Sequence, residues 1–314
     1  MKTKPKAIER KGTAFPHMER QSRRTGIMTH SLNNRSAAKP ALDVRTYGPR
    51  RRVARKPGRQ ELESKLAELQ RDYAELHTSI FEAAQVHRRL CAPRLVRFGD
   101  FEIASEIFAV RQLPGDFFTV EQSANDIVMA LGDVCGKGLA AGMWTPHLVG
   151  LVRAHTTPVA APHSIVTNVN RDACRTAPLG PLASLFLARL DPLTGLLSYC
   201  SAGHPPVMLL RANGELELLT EGGLLLGVLA DAEYTCGSCV LGKGDTLLIY
   251  SDGITESRNS TAEEFGNARL EKHLRDSQAG SADAALFSVL GAVQDFAATR
   301  SLADDVSLAI IRRN

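Results

Sequence analysis

The sequence predicts an α+β domain of stacked layers rather than a doubly wound parallel sheet. Three observations predict it: short apolar runs bounded by turn signals, two separate blocks of helical periodicity between them, and no regular alternation of strand and helix. With 44% hydrophobic but only 5% aromatic residues, the interior is expected to be aliphatic. At 314 residues the chain has room for one domain of about 220 residues and an appended segment.

Residues 1–58 are set apart by charge. They hold 16 Lys/Arg against 3 Asp/Glu, so the net charge of +4 leaves about −9 for everything after them. The segment includes PRRRVARKPGR, has few apolar residues and lacks a sustained period. It cannot bury enough apolar surface to offset its ordering entropy and is expected to be disordered. Such a tail suits contact with nucleic acid or an acidic membrane, and equally suits a solvated extension or a start codon placed too far upstream.

Residues 59–91 change character. Leu62, Leu66, Leu69, Tyr73, Leu76 and Ile80 are spaced alternately by four and three, and Ala83, His87 and Leu90 continue the seam. That is an a/d heptad stripe with charges on the other faces, which predicts a linker helix pairing with a second copy as a parallel coiled coil. A single amphipathic helix lying on the following domain is the alternative. His87 falls on the seam as a packed or rim residue, and the helix should stop before Pro93.

Residues 92–314 carry the domain. FEIASEIFAVRQL and DIVMALGDV read as strands; GLAAGMWTPHLVGLVRAHT and APHSIVTNVNRDACRT read as helices. The turn signals DPLTG and ANGE then separate apolar runs as hairpins would. GDTLLIYSDGITE is a further buried strand, helical periodicity returns over residues 266–299, and VSLAIIRR is the last strand. No stretch of about 18 apolar residues occurs, so no transmembrane segment is expected. Six scattered cysteines fit a reducing cytosol, and a cytoplasmic location is expected. Cys236 and Cys239 form a CxxC without a second ligand pair, which reads as strand or turn residues.

The chemistry lies in acidic residues at strand ends. Asp116 and Asp133 each follow a glycine in LPGDFFTVEQSANDIVMALGDVCGKG, Asp252 follows the apolar run of LLIYSDG, and Asp304 and Asp305 precede the last strand. Carboxylates beside backbone carbonyls suit Mg²⁺ or Mn²⁺ rather than a soft metal. Several like charges held together repel unless cations neutralise them, and a two-metal site would also activate water for in-line attack at phosphorus. Ordinary turn aspartates that cap helices remain open on pattern alone.

PGDFF, GDVCGKGLAAG, LDPLTGLLSYCSAGHPP, LLLGV, GDTLLIYSDGITE, EFG and ADDVSLAII occur in the order found in the SpoIIE-type branch of the PPM protein phosphatases, which is similar to eukaryotic protein phosphatase 2C. The resemblance covers residues 80–314. It implies a β-sandwich flanked by helices in α-β-β-α layers, a centre of two divalent cations, Mn²⁺ or Mg²⁺, and hydrolysis of phosphoserine or phosphothreonine in a protein of the anti-anti-sigma type. By the same resemblance, Asp133 corresponds to the aspartate that bridges the metals and the Val134 carbonyl to a backbone ligand. Asp116, Asp252 and Asp304 correspond to further ligands, with Asp304 preferred to Asp305. An activating regulator is expected to act through the linker helix.

Three departures from the family pattern stand out. Pro114 replaces the first glycine of GGD; Cys135 stands where the branch commonly has serine and the eukaryotic enzymes a histidine resembling a general acid, and reads as a small packing residue with oxidation beside metals as the alternative; and no sensory domain is expected before the linker. Arg111 and Lys137 are candidates for contact with a substrate phosphate, with a surface charge and a turn cap as their respective alternatives. His204 in AGHPP reads as a buried, hydrogen-bonded histidine, and Gly253 as the residue that permits a bend beside Asp252. The rival reading is a non-catalytic dimeric scaffold that recruits a regulator or nucleic acid.

Overall fold

The apolar runs of the sequence become strands buried on both faces, and that double burial sets the layering. The computed structural model describes residues 58–91, 94–111, 113–122, 125–177, 180–298 and 302–314. The basic segment expected to be disordered lies, up to residue 57, outside them. In chain order the elements are α1 (Arg59–Cys91), β1 (Leu95–Phe98), β2 (Phe101–Phe108), β3 (Asp116–Gln122), β4 (Ile127–Val134), α2 (Leu139–His155), α3 (Pro162–Thr176), β5 (Ala183–Leu190) and β6 (Leu196–Ala202). They continue with β7 (Val207–Leu210), β8 (Leu216–Leu219), β9 (Gly222–Gly223), β10 (Gly237–Val240), β11 (Thr246–Tyr250), α4 (Asp252–Thr255), α5 (Gly266–Asp276), α6 (Ala282–Ala297) and β12 (Val306–Arg313).

Two sheets result, one ordered β1-β2-β12-β11-β7-β8 and the other β10-β6-β5-β4-β3 with β9 beside β6. Along β4, Ile127, Met129 and Leu131 face the inter-sheet core with Phe118, Phe186, Leu247 and Ile311, while Val128 and Ala130 face the layer of α2 and α3. In β12, Ala309 and Ile311 face the other sheet, and Leu308 and Ile310 face α5 and α6 with Leu270 and Leu286. A strand apolar at both odd and even positions can only be stable between two layers. The α-β-β-α sandwich follows.

The hairpin signals act as their chemistry requires. Asp191 Oδ1 accepts from the backbone N–H groups of Leu193 and Thr194, closing the β5–β6 turn, and Asn213 Oδ1 accepts from Glu215 N in the β7–β8 turn. β1 and β3 are strands that the sequence reading passed over. β1 is a four-residue edge strand, half exposed along its length, and leaves almost no apolar signature.

α1 runs the full length of the heptad stripe and stops at Cys91, before Pro93. Leu62, Leu66, Leu69, Tyr73 and Leu76 are each more than half exposed, so this part of the stripe is left uncovered by the described residues. The far end of the helix does dock: His87 and Cys91 are buried. The reason lies in α2, where Pro146 sits inside the helix and offers no N–H to the carbonyl of Gly142, four residues back. The His87 imidazole interacts with the Gly142 backbone instead, and burial holds the ring below its ordinary pKa, so it docks neutral. Gly142 is also tight against Leu113, whose Cβ would lie 2.4 Å from a Cβ at this position.

Replacing His87 with Ala leaves the Gly142 carbonyl without a partner and should cost about 1–3 kcal/mol in urea denaturation. In that background, Pro146→Ala should recover part of the loss, because the restored N–H can take the same carbonyl. Independent, additive effects of the two substitutions would refute this coupling.

Candidate metal centre

Four distant segments place their aspartates at one end of the sandwich. Asp116 opens β3 and pairs in register with Asp133 near the end of β4, so the ladder itself sets the two carboxylates side by side. Both Gly-Asp steps have steric reasons. A Cβ at Gly132 would lie 2.6 Å from the Phe117 ring, and one at Gly115 would lie 3.1 Å from the Val134 carbonyl oxygen and 3.3 Å from Asp133 Oδ1. At Gly132 a side chain would collide with the facing strands, and at Gly115 it would be a tight fit.

Asp252 opens the single turn of α4 directly after β11, and Asp304 and Asp305 lie just before β12. A Cβ at Gly253 would lie 1.9 Å from the Asp305 carbonyl oxygen, so these two turns are pressed together. Asp305 uses both carboxylate oxygens on backbone: Oδ1 accepts from Val110 N and Oδ2 from Gly115 N, each at 2.8 Å. It ties the β2–β3 loop to the last turn. Asp304 instead pairs through Oδ2 with Lys137 Nζ at 2.7 Å, and its Oδ1 accepts from Asp305 N.

The electrostatics record the crowding. Asp116 is 1% exposed, its Oδ2 has no hydrogen-bond partner, and burial together with the Asp133 charge pushes its carboxyl well above the usual range. Asp133 is pushed up to about 6, by burial first and then by the charges of Asp252, Asp304 and Asp305. Burial and Asp304 also raise Asp252. Among the described residues, no group of three or more His, Cys, Asp or Glu side chains stands ready to hold a metal ion. The donor set nonetheless fits a hard divalent cation: carboxylate oxygens converge, one is buried with nothing to bond, and three carboxyls are pushed above their ordinary range by burial and by one another, a cost that a cation would relieve.

The other sequence candidates fall nearby. Val134 is buried, and its N–H donates to the Gly115 carbonyl. The Arg111 side chain is exposed and lies along the Gly136–Gly138 turn, with Cδ and Nη1 3.4 Å from where a Gly138 Cβ would be. Lys137 Nζ donates to the Ala303 carbonyl as well as pairing with Asp304. Cys135 is exposed, but burial of its thiol and the charges of Asp133 and Asp252 raise its pKa, which disfavours the reactive thiolate. His204 is buried, with Nδ1 3.3 Å from Ser184 Oγ, and desolvation lowers it to about 3. The structural role of Asp305 was not visible in the sequence, since its partners lie 190 and 195 residues away.

The family model for Stage II sporulation protein E (SpoIIE) matches residues 123–314, more than half of the chain. The chain belongs to the SpoIIE family. It is similar to phosphoserine phosphatase RsbU of Bacillus subtilis, with 25% identity over 243 residues that cover 76% of this chain and 71% of RsbU. Protein IcfG of Synechocystis is 25% identical over 60% of this chain, and the match spans about a third (34%) of its length. Among solved structures, the SiaA-PP2C domain of Pseudomonas aeruginosa superposes with a TM-score of 0.67 at 16% identity, covering 77% of this chain and 99% of that domain. The sandwich of this SpoIIE-family chain is therefore of the PP2C type, as the resemblance implied.

Because Asp133 keeps its proton to about pH 6 when folded and to about pH 4 when unfolded, the folded chain binds more protons between those values. Without metal, stability should fall as pH rises through that window, by on the order of 2 kcal/mol. Asp133→Asn should flatten this slope and stabilise chelator-treated protein at pH 7.5. Urea midpoints at pH 4.5 and 7.5 measure both effects.

Proposed function

We propose that the chain is a metal-dependent protein phosphatase that hydrolyses phosphoserine or phosphothreonine on a regulatory protein of the anti-anti-sigma type. The observation that carries this reading is the convergence of Asp116, Asp133, Asp252 and Asp304 at one end of a SpoIIE-family sandwich, with a buried carboxylate oxygen left unbonded. The relative RsbU, named a phosphoserine phosphatase, supports the substrate class. In this reading residues 92–314 form the phosphatase domain, residues 59–91 the linker and residues 1–58 an appended basic tail.

Asp116, Asp133, the Val134 carbonyl, Asp252 and Asp304 would hold two divalent cations, Mn²⁺ or Mg²⁺. When bound, such cations supply the activated water and the charge neutralisation that phosphoryl transfer requires. The chain's own part is placement. The strand pair holds Asp116 beside Asp133, Gly253 lets the Asp252 turn meet the last turn, and Asp305 braces the β2–β3 loop through two backbone bonds. Arg111, exposed beside the same turn, is the candidate to pair with substrate phosphate, because a guanidinium presents a planar fork of donors. Protonation of the leaving oxygen falls to water, since Cys135 is the side chain at the position a general acid would take.

Turnover of p-nitrophenyl phosphate and of a phosphoserine peptide should require Mn²⁺ or Mg²⁺, vanish with EDTA, and drop at least about 100-fold in Asp133→Asn and Asp252→Asn. Metal-independent turnover, or full activity in both variants, would overturn the reading. Folded protein that binds no metal and turns over neither substrate would favour the scaffold.

The exposed stripe of α1 supports a parallel homodimer in which this helix pairs with its copy and presents the joint at His87 to an activating regulator. A Leu69→Glu, Leu76→Glu double substitution should convert dimer to monomer in sedimentation without lowering the domain's melting temperature. A wild-type monomer at micromolar concentration would refute the pairing.

A further inference from the structure

Lys137 stands in an unusual relation to the acidic cluster. Its ammonium lies 2.7 Å from Asp304 Oδ2 and 2.7 Å from the Ala303 carbonyl oxygen, an anchorage made by the turn before β12. Asp304 Oδ1 is engaged too, by Asp305 N at 3.0 Å, so both oxygens of this carboxylate have partners. Asp116 is the reverse case, buried with Oδ2 unbonded. The cluster therefore divides into halves. Asp116 and Asp133 face each other without a cation, while Asp304 already holds one.

The position of Lys137 is also a consequence of its turn. Gly136 and Gly138, on either side of it, have φ values of 115° and 76°, a region that side chains rarely adopt. A Cβ at Gly136 would meet nothing within 4 Å, so glycine is there for the backbone path and not for space. That path carries the lysine from the end of β4 across to the turn before β12. Lys137 and Asp304 have side chains 43% and 46% exposed, where an ordinary ion pair contributes little to stability. Its effect on a second cation is another matter, because like charges within a few ångströms compete for one carboxylate.

We propose that Lys137 is a built-in counter-cation: it occupies Asp304 in the metal-free chain and must leave that carboxylate before a divalent ion can settle between Asp252 and Asp304. This rests on the metal-site reading above and deepens it, giving the two ion positions unequal affinity. The first ion enters the Asp116–Asp133 half, which lacks a positive charge. The second displaces an ammonium. Lys137 is thus a positioning residue that sets how much free metal completes the centre.

The test is calorimetric titration of Mn²⁺ into chelator-treated full-length protein at pH 7.5, comparing wild type with Lys137→Gln, Lys137→Met, Lys137→Arg and Asp133→Asn. Melting curves check the fold of each. Wild type should bind two ions of unequal affinity. In both neutral variants the weaker equivalent should tighten by about tenfold or more, since a unit charge a few ångströms away is removed. Lys137→Arg, which keeps the charge, should stay near wild type. If neither neutral variant tightens the weaker ion, Lys137 is a turn brace and the proposal is overturned. Should Asp133→Asn abolish tight binding in that same case, the metal centre survives without the gate. No Mn²⁺ binding by wild type or by either neutral variant at millimolar concentration would overturn both.

Discussion

Asp116 and Asp133 are forced together by the register of β3 on β4, and the repulsion between two carboxylates at one end of the sandwich is the constraint that the neighbouring turns answer. Two glycines give the close approach, and burial together with the repulsion raises both carboxyls above their ordinary range. Around this pair the other loops are held by bonds that do not depend on any ion. Asp305 spends its carboxylate on Val110 and Gly115, and Asp304 on its own neighbour and Lys137. The end of the sandwich is thus shaped by backbone hydrogen bonds first, leaving the charge imbalance to whatever cation arrives.

A second joint is coupled to the first through α2. The helix begins immediately after the Gly136–Gly138 turn, lets Leu113 close against Gly142, and frees the Gly142 carbonyl at Pro146 for His87 of α1. Thr145 hydroxyl donates to the Gly115 carbonyl, next to Asp116. One face of the first two turns of α2 therefore touches both the linker helix and the residue that precedes the first carboxylate. Proline in the helix interior, normally a defect, here supplies the acceptor that seats another element.

Much of this was legible in residues alone because the signals were strong where burial is complete. DIVMALGDV, TLLIY and VSLAIIRR are strands whose apolar character on both faces has no other stable use, and the DPLTG and ANGE turns carry their own chemistry. The four aspartates were found because each terminates such a run or abuts a turn. What escaped was whatever depends on partners far along the chain. Asp305 looked like a spare neighbour of Asp304 and is a brace. Lys137 looked like a phosphate contact or a turn cap and pairs with an acid 167 residues on. His87 belongs to the heptad by spacing, yet it is buried against its own domain because Pro146 exposed an acceptor that no local pattern advertises. β1 was missed because a short, half-exposed edge strand has no periodic signature.

The placement of β12 between β2 and β11 has a kinetic meaning. The β3–β4 hairpin that pairs Asp116 with Asp133 is local and can form on a microsecond scale. The turn that braces it arrives 190 residues later, and its strand must slot into the middle of a sheet whose other members were made earlier. Contacts of such sequence separation close slowly. While the chain is being synthesised, then, the first pair of carboxylates exists for a time without Asp305 holding its loop and without Lys137 meeting Asp304. A nascent domain of this kind presents half of an ion site and an open sheet, and its commitment to one arrangement comes with the insertion of a single late strand.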